Sequence, residues 1–349
     1  MNLMLRISDL LQRGIIFSDI QAVEGQHLRI RTPSGWVTVE EGDPVSFDEM
    51  VPLLHSVTHY WKSHLDQGQS INRTIEIKPA RFRLSAYTMH ARSRKALTLR
   101  LIPDRPPELE ALHLPVQVQQ FTRPQRGILL VSGATGAGKS STIAAIVNRL
   151  YREYPLHIIT IEDPIEFLYP DDHAAGVVTQ REVGPHGDVA SFAAGVHEAM
   201  RQCPDVIVIG EIRDQDTAAA AVRAAESGHY VIASIHARSS LGAVQKLGSL
   251  YQESFVEATL ASILTGVIYQ LIMPDAQGEN NVVAAEVITG GASELVGILK
   301  DASRVPMIAD RIRSNNLGLS LEAHLRYLHN QGRISEETLR EVVSVYYAA

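Results

Sequence analysis

Gly133-Ala134-Thr135-Gly136-Ala137-Gly138-Lys139-Ser140 fits the pattern G-x-x-x-x-G-K-[ST] at every fixed position. An apolar run, Gly127 to Val131, stands before it, and a stretch with helical spacing, Ser141 to Tyr151, follows. Glycines at these places let backbone N–H groups turn inward around an anion, and the new helix adds the positive end of its dipole. The pattern therefore predicts a nucleoside triphosphate held by the nine residues Gly133 to Ser141. Lys139 would reach the β- and γ-phosphates, and Ser140 would ligate Mg²⁺.

Outward from this loop the chain reads as α/β. Fully apolar runs at Ile128–Val131, Ile158–Ile161, Val206–Ile209, Val231–Ile235 and Val282–Ile288 have the look of buried parallel strands. Helical spacing lies between them at Ser141–Tyr151, Ser191–Gln202, Thr217–Ser227 and Leu241–Leu250. From Phe255 onward the pattern predicts mostly helix. The long apolar stretch Phe255 to Met273 carries Glu257, Thr259, Ser262, Thr265 and Gln270, so a buried helix is expected there rather than a membrane span.

Before the loop the pattern differs. Residues 1–102 alternate like antiparallel strands, with helical spacing at Ser8–Arg13 and Phe47–Leu65, and predict a small α+β domain. Pro103-Asp104-Arg105-Pro106-Pro107 marks a linker, placed at 103–120, and the second, phosphate-loop domain would span 121–349. The single cysteine, Cys203, excludes an intrachain disulfide and a four-cysteine zinc module and suits a reducing compartment. A net charge of −7 argues against a chain whose main task is coating nucleic acid. No secretory signal is legible in the charged, amphipathic N-terminus.

The chemistry beyond phosphate binding needs acidic groups at strand ends. Asp205 to Ile209 is an apolar strand followed by Gly210 and Glu211, which makes Glu211 the general-base candidate and a metal candidate beside Ser140. Glu162 ends the strand Ile158–Ile161, where doubly wound sheets bind ligands. His229 and His236 flank the strand Tyr230–Ile235; His236, at its carboxyl end, could sense a γ-phosphate, while His229 sits at the other end of the sheet. Arg81, Arg83, Arg92, Arg94 and Arg100 crowd the end of the first domain. They read either as a solvated strand face or as arginine fingers aimed at phosphate on a neighbouring subunit. A nucleic-acid patch ranks last, because aromatic interleaving is sparse.

Together these segments resemble the type II and type IV secretion ATPases and type IV pilus motors. Residues 133–140 resemble the family's Walker A box and Thr160 to Phe167 its acidic box. Pro204 to Asp214 resembles its atypical Walker B box, and Ala225 to His236 its histidine box. The resemblance implies a RecA-like P-loop NTPase domain with a smaller N-terminal PAS-like α+β domain, assembled as a hexameric ring that hydrolyses ATP with Mg²⁺. It implies catalytic roles for Glu211, Glu162, His229 and His236 and an approach of first-domain arginines to the nucleotide. It further implies a cytoplasmic motor docked on an inner-membrane secretion or pilus platform. No integral membrane segment is expected from the sequence, and the charge of −7 disfavours direct nucleic-acid binding. A RecA-like ATPase translocating DNA directly, or a pilus retraction motor proper, stays open as the alternative. Size and order are PilT-like. Ala292 to Asp301 and Ala237 to Ser240 depart from the pilus-retraction pattern and fit better the DotB and TraJ kind of type IVB secretion and conjugation ATPase.

Overall fold

A computed structural model of the chain describes residues 2–32, 34–103, 105–170, 174–184, 187–253, 255–278, 280–289 and 292–348. The chain divides into two compact units, residues 1–105 with 164–168, and residues 106–163 with 169–349. Asp104 of the expected linker lies outside the described residues.

The first unit is an antiparallel sheet with helices. It runs α1 (Leu3–Gln12), β1 (Asp19–Val23), β2 (Arg29–Thr32), β3 (Gly35–Thr38), α2 (Phe47–Val57), α3 (Trp61–Asp66), β4 (Ile71–Ile77), β5 (Ala80–Met89) and β6 (Arg94–Ile102). The strand order is β3-β2-β1-β6-β5-β4. Helix α1 starts earlier than its apolar spacing predicts, because the Asn2 side chain accepts from the Leu5 N–H and caps it. The stretch expected as one helix from Phe47 to Leu65 is broken near Thr58, whose backbone is extended. Phe82, Leu84, Leu97 and Leu99 point inward by period two and pack on Leu3, Ile7, Leu53 and Leu54.

The second unit begins with two short 3₁₀ turns, Leu109–Leu112 and Val116–Thr122. Leu109, Val118 and Phe121 are buried in its core. Much of the stretch expected as linker therefore packs as part of this unit, because its apolar side chains are drawn out of water. Then follow β7 (Gly127–Ser132), α4 (Lys139–Glu153), β8 (His157–Glu162), β9 (Val177–Glu182), α5 (Phe192–Ala199), β10 (Val206–Ile209), α6 (Gln215–Glu226), β11 (Tyr230–Ile235), α7 (Ser240–Leu250) and α8 (Val256–Ile263). The chain ends with β12 (Leu264–Pro274), β13 (Asn281–Ile288), α9 (Ala292–Lys300), α10 (Val305–Arg313), β14 (Gly318–Leu319), α11 (Leu321–Asn330) and α12 (Glu336–Ala348).

These strands form one sheet in the order β14-β13-β12-β7-β11-β10-β8-β9. Strands β12 to β9 in that order are parallel, and β13 and β14 are antiparallel. Helices cover both faces. Ile128 and Leu130 of β7 pack with α5, α6 and α7, while Leu129 and Val131 pack with α4. Burial on both faces is why the run is apolar throughout and not alternating.

Two expectations are corrected here. Phe255–Met273 is not one buried helix: it is α8 followed by an eleven-residue strand, β12, although helices still outweigh strands in the chain beyond Phe255, as expected. The β-branched and aromatic residues Thr265, Val267, Ile268, Tyr269 and Ile272 favour the pleated surface, and the apolar run itself does not distinguish the two. Val282–Ile288 is a strand as expected, but it runs antiparallel to β12. Among the described residues no helix is long and apolar enough to cross a membrane.

Candidate functional site

The loop between β7 and α4 is closely fitted to its neighbours. Gly133 has φ +148°, and a Cβ there would lie 2.3 Å from the Gln270 carbonyl oxygen on β12. Gly138, at φ +83°, is the N-cap of α4 and lies under the Gln270 amide. The Gln270 Nε2 donates to the Ala137 carbonyl at 2.6 Å, so this fully buried side chain pins the loop from the next strand. Lys139 folds over the same loop. Its Nζ donates to the carbonyls of Gly133 at 3.0 Å and Ala134 at 2.8 Å. Burial pushes the Lys139 ammonium down from its ordinary range, Glu211 pulls it up, and Lys246 lowers it again. Ala134, Thr135, Gly136 and Ser140 are exposed and Ala137 is buried; Ser141 is half-buried one step into α4.

Parallel pairing brings the other groups to the same edge. β8, β10, β11 and β7 are neighbours in register, so Glu162, the last residue of β8, and Glu211, His236 and Gly133, just past the ends of β10, β11 and β7, share one carboxyl edge. Gly210 donates to the Ile161 carbonyl at 2.8 Å and continues the ladder one residue beyond β10, which delivers Glu211. One Glu211 oxygen lies 3.1 Å from His236 Nε2, and the other accepts from Arg213 Nε at 2.6 Å. Burial and the Lys139 charge hold the His236 imidazole below its usual pKa; Glu211 pulls it up, Lys246 down and the Gly133 backbone up. The neutral ring then donates Nε2–H to Glu211. Lys246 Nζ, from α7, donates to the His236 carbonyl at 3.0 Å. Glu162 accepts from Thr160 Oγ1 at 2.6 Å and Gln180 Nε2 at 3.1 Å.

His229 is not part of this cluster. It precedes β11, at the sheet's other end, where its Nδ1 lies 2.9 Å from the Ala224 carbonyl. Six strand residues separate it from His236, roughly 20 Å at strand rise. The arginines belong to the first unit. Arg83 faces Glu166 at 4.0 Å, and Arg100 Nε donates to Asp19 at 2.8 Å. Arg92 donates to the carbonyls of Asp66 and Gln67, closing the end of α3. Arg81 is half-buried beside Phe82. Arg94 is exposed, and its side chain makes no hydrogen bond or ion pair among the described residues.

Three contributors were missed from sequence. Gln270 stood out only as a polar residue inside an apolar run. Arg213 sat inside a quoted box without a role. Lys246, ten residues past His236, carried no signal, since only the fold of α7 returns it to that carbonyl.

Among the described residues no cluster of three His, Cys, Asp or Glu side chains could hold a metal alone. Mg²⁺ commonly takes one or two protein ligands and completes its shell with phosphates and water. The exposed Ser140 hydroxyl and the Glu211 carboxylate fit that donor set.

A lysine at the mouth of a glycine loop, facing a carboxylate that a neutral histidine orients, can bind a phosphate chain and promote attack on it by water. The second unit thus has the design of a P-loop NTPase. A family model described as type II/IV secretion system protein matches residues 53–299. The type IV pilus retraction ATPase PilT of Pseudomonas aeruginosa is 32% identical over 270 residues, 76% of this chain and 76% of that one. The Legionella pneumophila ATPase DotB has a TM-score of 0.84 at 26% identity, covering 98% of this chain and 96% of that one. The pilus retraction motor PilT with bound ADP has a TM-score of 0.84 at 28% identity, over 98% and 96%. The chain belongs to the type II/IV secretion system protein family. It is a PilT-like, ATP-hydrolysing enzyme.

Proposed function

We propose that this chain is a ring-forming motor, a hexamer, that converts ATP hydrolysis into mechanical work on a membrane-embedded secretion or type IV pilus machine. The observation that carries the reading is the convergence of Lys139, Glu211 and His236 at the carboxyl edge of one sheet. The second unit is then RecA-like and the first PAS-like. Gly133 to Ser141 wrap the phosphates with backbone N–H groups, and Lys139 moves from its own loop carbonyls onto the β- and γ-phosphates. Ser140 and Glu211 would hold Mg²⁺, which would supply positive charge to offset that developing on the phosphates. Glu211 accepts the proton of the attacking water, and His236 fixes which oxygen does so. Glu162 assists from the next strand.

A first-unit arginine of a neighbouring subunit supplies the cation that completes the site. Arg94 is the strongest of the five candidates, because Arg83, Arg92 and Arg100 are already engaged within their own unit. Of the relatives named above, the pilus retraction ATPase supports a motor working on a pilus-type machine and DotB supports the ATPase activity; we place the work at the inner membrane, on its cytoplasmic side.

Subunit mixing tests the ring. Glu211→Gln subunits are titrated into wild type at constant total protein. A cooperative ring loses activity more steeply than the wild-type fraction falls, whereas independent monomers lose it in proportion. Many-fold, salt-sensitive stimulation of the ATPase by DNA would instead favour direct DNA translocation.

A further inference from the structure

Glu286 lies on β13 and is 2% exposed. A carboxylate this deep is costly unless donors surround it. Here they do. Ser240 Oγ donates to Glu286 Oε1 at 2.5 Å and Tyr346 Oη at 3.2 Å. The backbone N–H groups of Ser240 and Leu321 donate as well. Ser240 opens α7 and Leu321 opens α11, so two helix N-termini point their positive ends at this carboxyl. No cation pairs with it among the described residues.

The segment it grips is short and bears on the site. Only Ala237, Arg238 and Ser239 separate His236 from Ser240. Ser239 caps α7 through its side chain to the Gly242 N–H at 3.0 Å. Lys246, on the same helix, returns to the His236 carbonyl at 3.0 Å. Helix α7 therefore closes a small ring of contacts around the residue that aims Glu211, and Glu286 fixes where that helix begins. On the far side, Tyr346 ties the same carboxyl to α12, where its ring stacks on Tyr269 with centroids 5.4 Å apart.

We propose that Glu286 is a positioning residue of the ATPase centre, acting through Ser240, helix α7 and Lys246 on the seat of His236. Its hydrogen-bond partners are Ser240, Tyr346 and the Leu321 backbone, so it acts on the reaction only through them. It sets the orientation of the imidazole, which in turn sets Glu211. The inference rests on the assignment of Glu211 as the general base. It also gives the C-terminal helix a direct mechanical connection to the catalytic edge.

The test uses the full chain. Steady-state ATPase kinetics, equilibrium binding of a non-hydrolysable ATP analogue and thermal melting are measured for Lys246→Met, Lys246→Arg, Glu286→Gln, Ser240→Ala and the Lys246→Met/Glu286→Gln double variant. Lys246→Met is expected to lower kcat about tenfold with KM and analogue affinity within about twofold, and Lys246→Arg, which keeps a donor, to restore most of the rate. Glu286→Gln, which turns an amide N–H toward existing donors, lowers kcat similarly. The double variant falls no further than the worse single variant, because both act along one route. Ser240→Ala gives a smaller loss in the same direction, and it decides the matter if Glu286→Gln does not fold. The proposal is overturned if Glu286→Gln or Ser240→Ala lowers only the melting temperature and leaves kcat intact, or if the losses multiply in the double variant. Glu211→Gln is run alongside. Turnover surviving in that variant sinks the base assignment itself. A dead Glu211→Gln beside a full-speed Glu286→Gln removes only the positioning role.

Discussion

Acidification should destabilise the second unit through one buried histidine. His324 on α11 is 1% exposed, and its Nδ1 accepts the Ala285 N–H of β13 at 3.0 Å. Burial pushes its pKa from an ordinary 6.5 to about 4, against a small upward pull from the His113 backbone. Because the folded value lies below the unfolded one, the unfolded chain takes up the proton first as pH falls. The stability is fully present above about pH 6.5, declines as pH drops, and levels off below about pH 4. Each pH unit between the two values is worth about 1.36 kcal/mol, so the loss is about 2 kcal/mol between pH 8 and pH 5 and about 3 kcal/mol in full. His324→Gln keeps an oxygen for the Ala285 N–H but cannot titrate. Urea denaturation followed across this range should show wild type losing about 2 kcal/mol more than the variant, every other titrating group being common to both. Parallel curves would refute the reasoning.

Other consequences are as direct. Gly133→Ala forces a Cβ against the Gln270 carbonyl, 2.3 Å away at φ +148°. It should cost about 1–3 kcal/mol and weaken ATP-analogue binding at least roughly tenfold, while Gly136→Ala, with no atom within 4 Å, should cost about 1 kcal/mol by melting. The pH dependence of kcat should lose activity on the acid side only below 6.5, since burial and Lys139 hold His236 neutral. Rate is lost as pH falls through the depressed value, the limb vanishes in His236→Gln, and a limb at or above 6.5 contradicts the assignment. Arg94→Ala should cut kcat about a hundredfold or more without lowering the melting temperature, whereas Arg92→Ala, which releases two carbonyls at the end of α3, should lower it. Equal melting losses in both variants would remove the distinction.

Much of the ATPase unit was legible because its signals are local. A glycine pattern fixes a loop, and unbroken apolar runs such as Ile128–Val131 and Val206–Ile209 mark strands buried on both faces. Strand ends then placed Glu211, Glu162 and His236 on one edge, because parallel neighbours share direction. Legibility failed where a choice depends on partners. Leu264–Pro274 could be helix or strand until β7 and β13 were there to pair with it. The direction of Val282–Ile288 is set by the hairpin with β12, which no residue within it announces. Lys246 and Gln270 join the site only through the return of α7 and the adjacency of β12 to β7. Arg83 and Arg100 looked available in a linear reading, since Glu166 and Asp19 are far from them in the chain.

The most direct test of the account is Glu211→Gln in the full chain, assayed for ATP binding and for phosphate release side by side. Removing a general base while keeping the shape of the side chain should leave nucleotide affinity near wild type and slow phosphate release by about 10²–10⁴-fold. Phosphate release at the wild-type rate with ATP bound would contradict it.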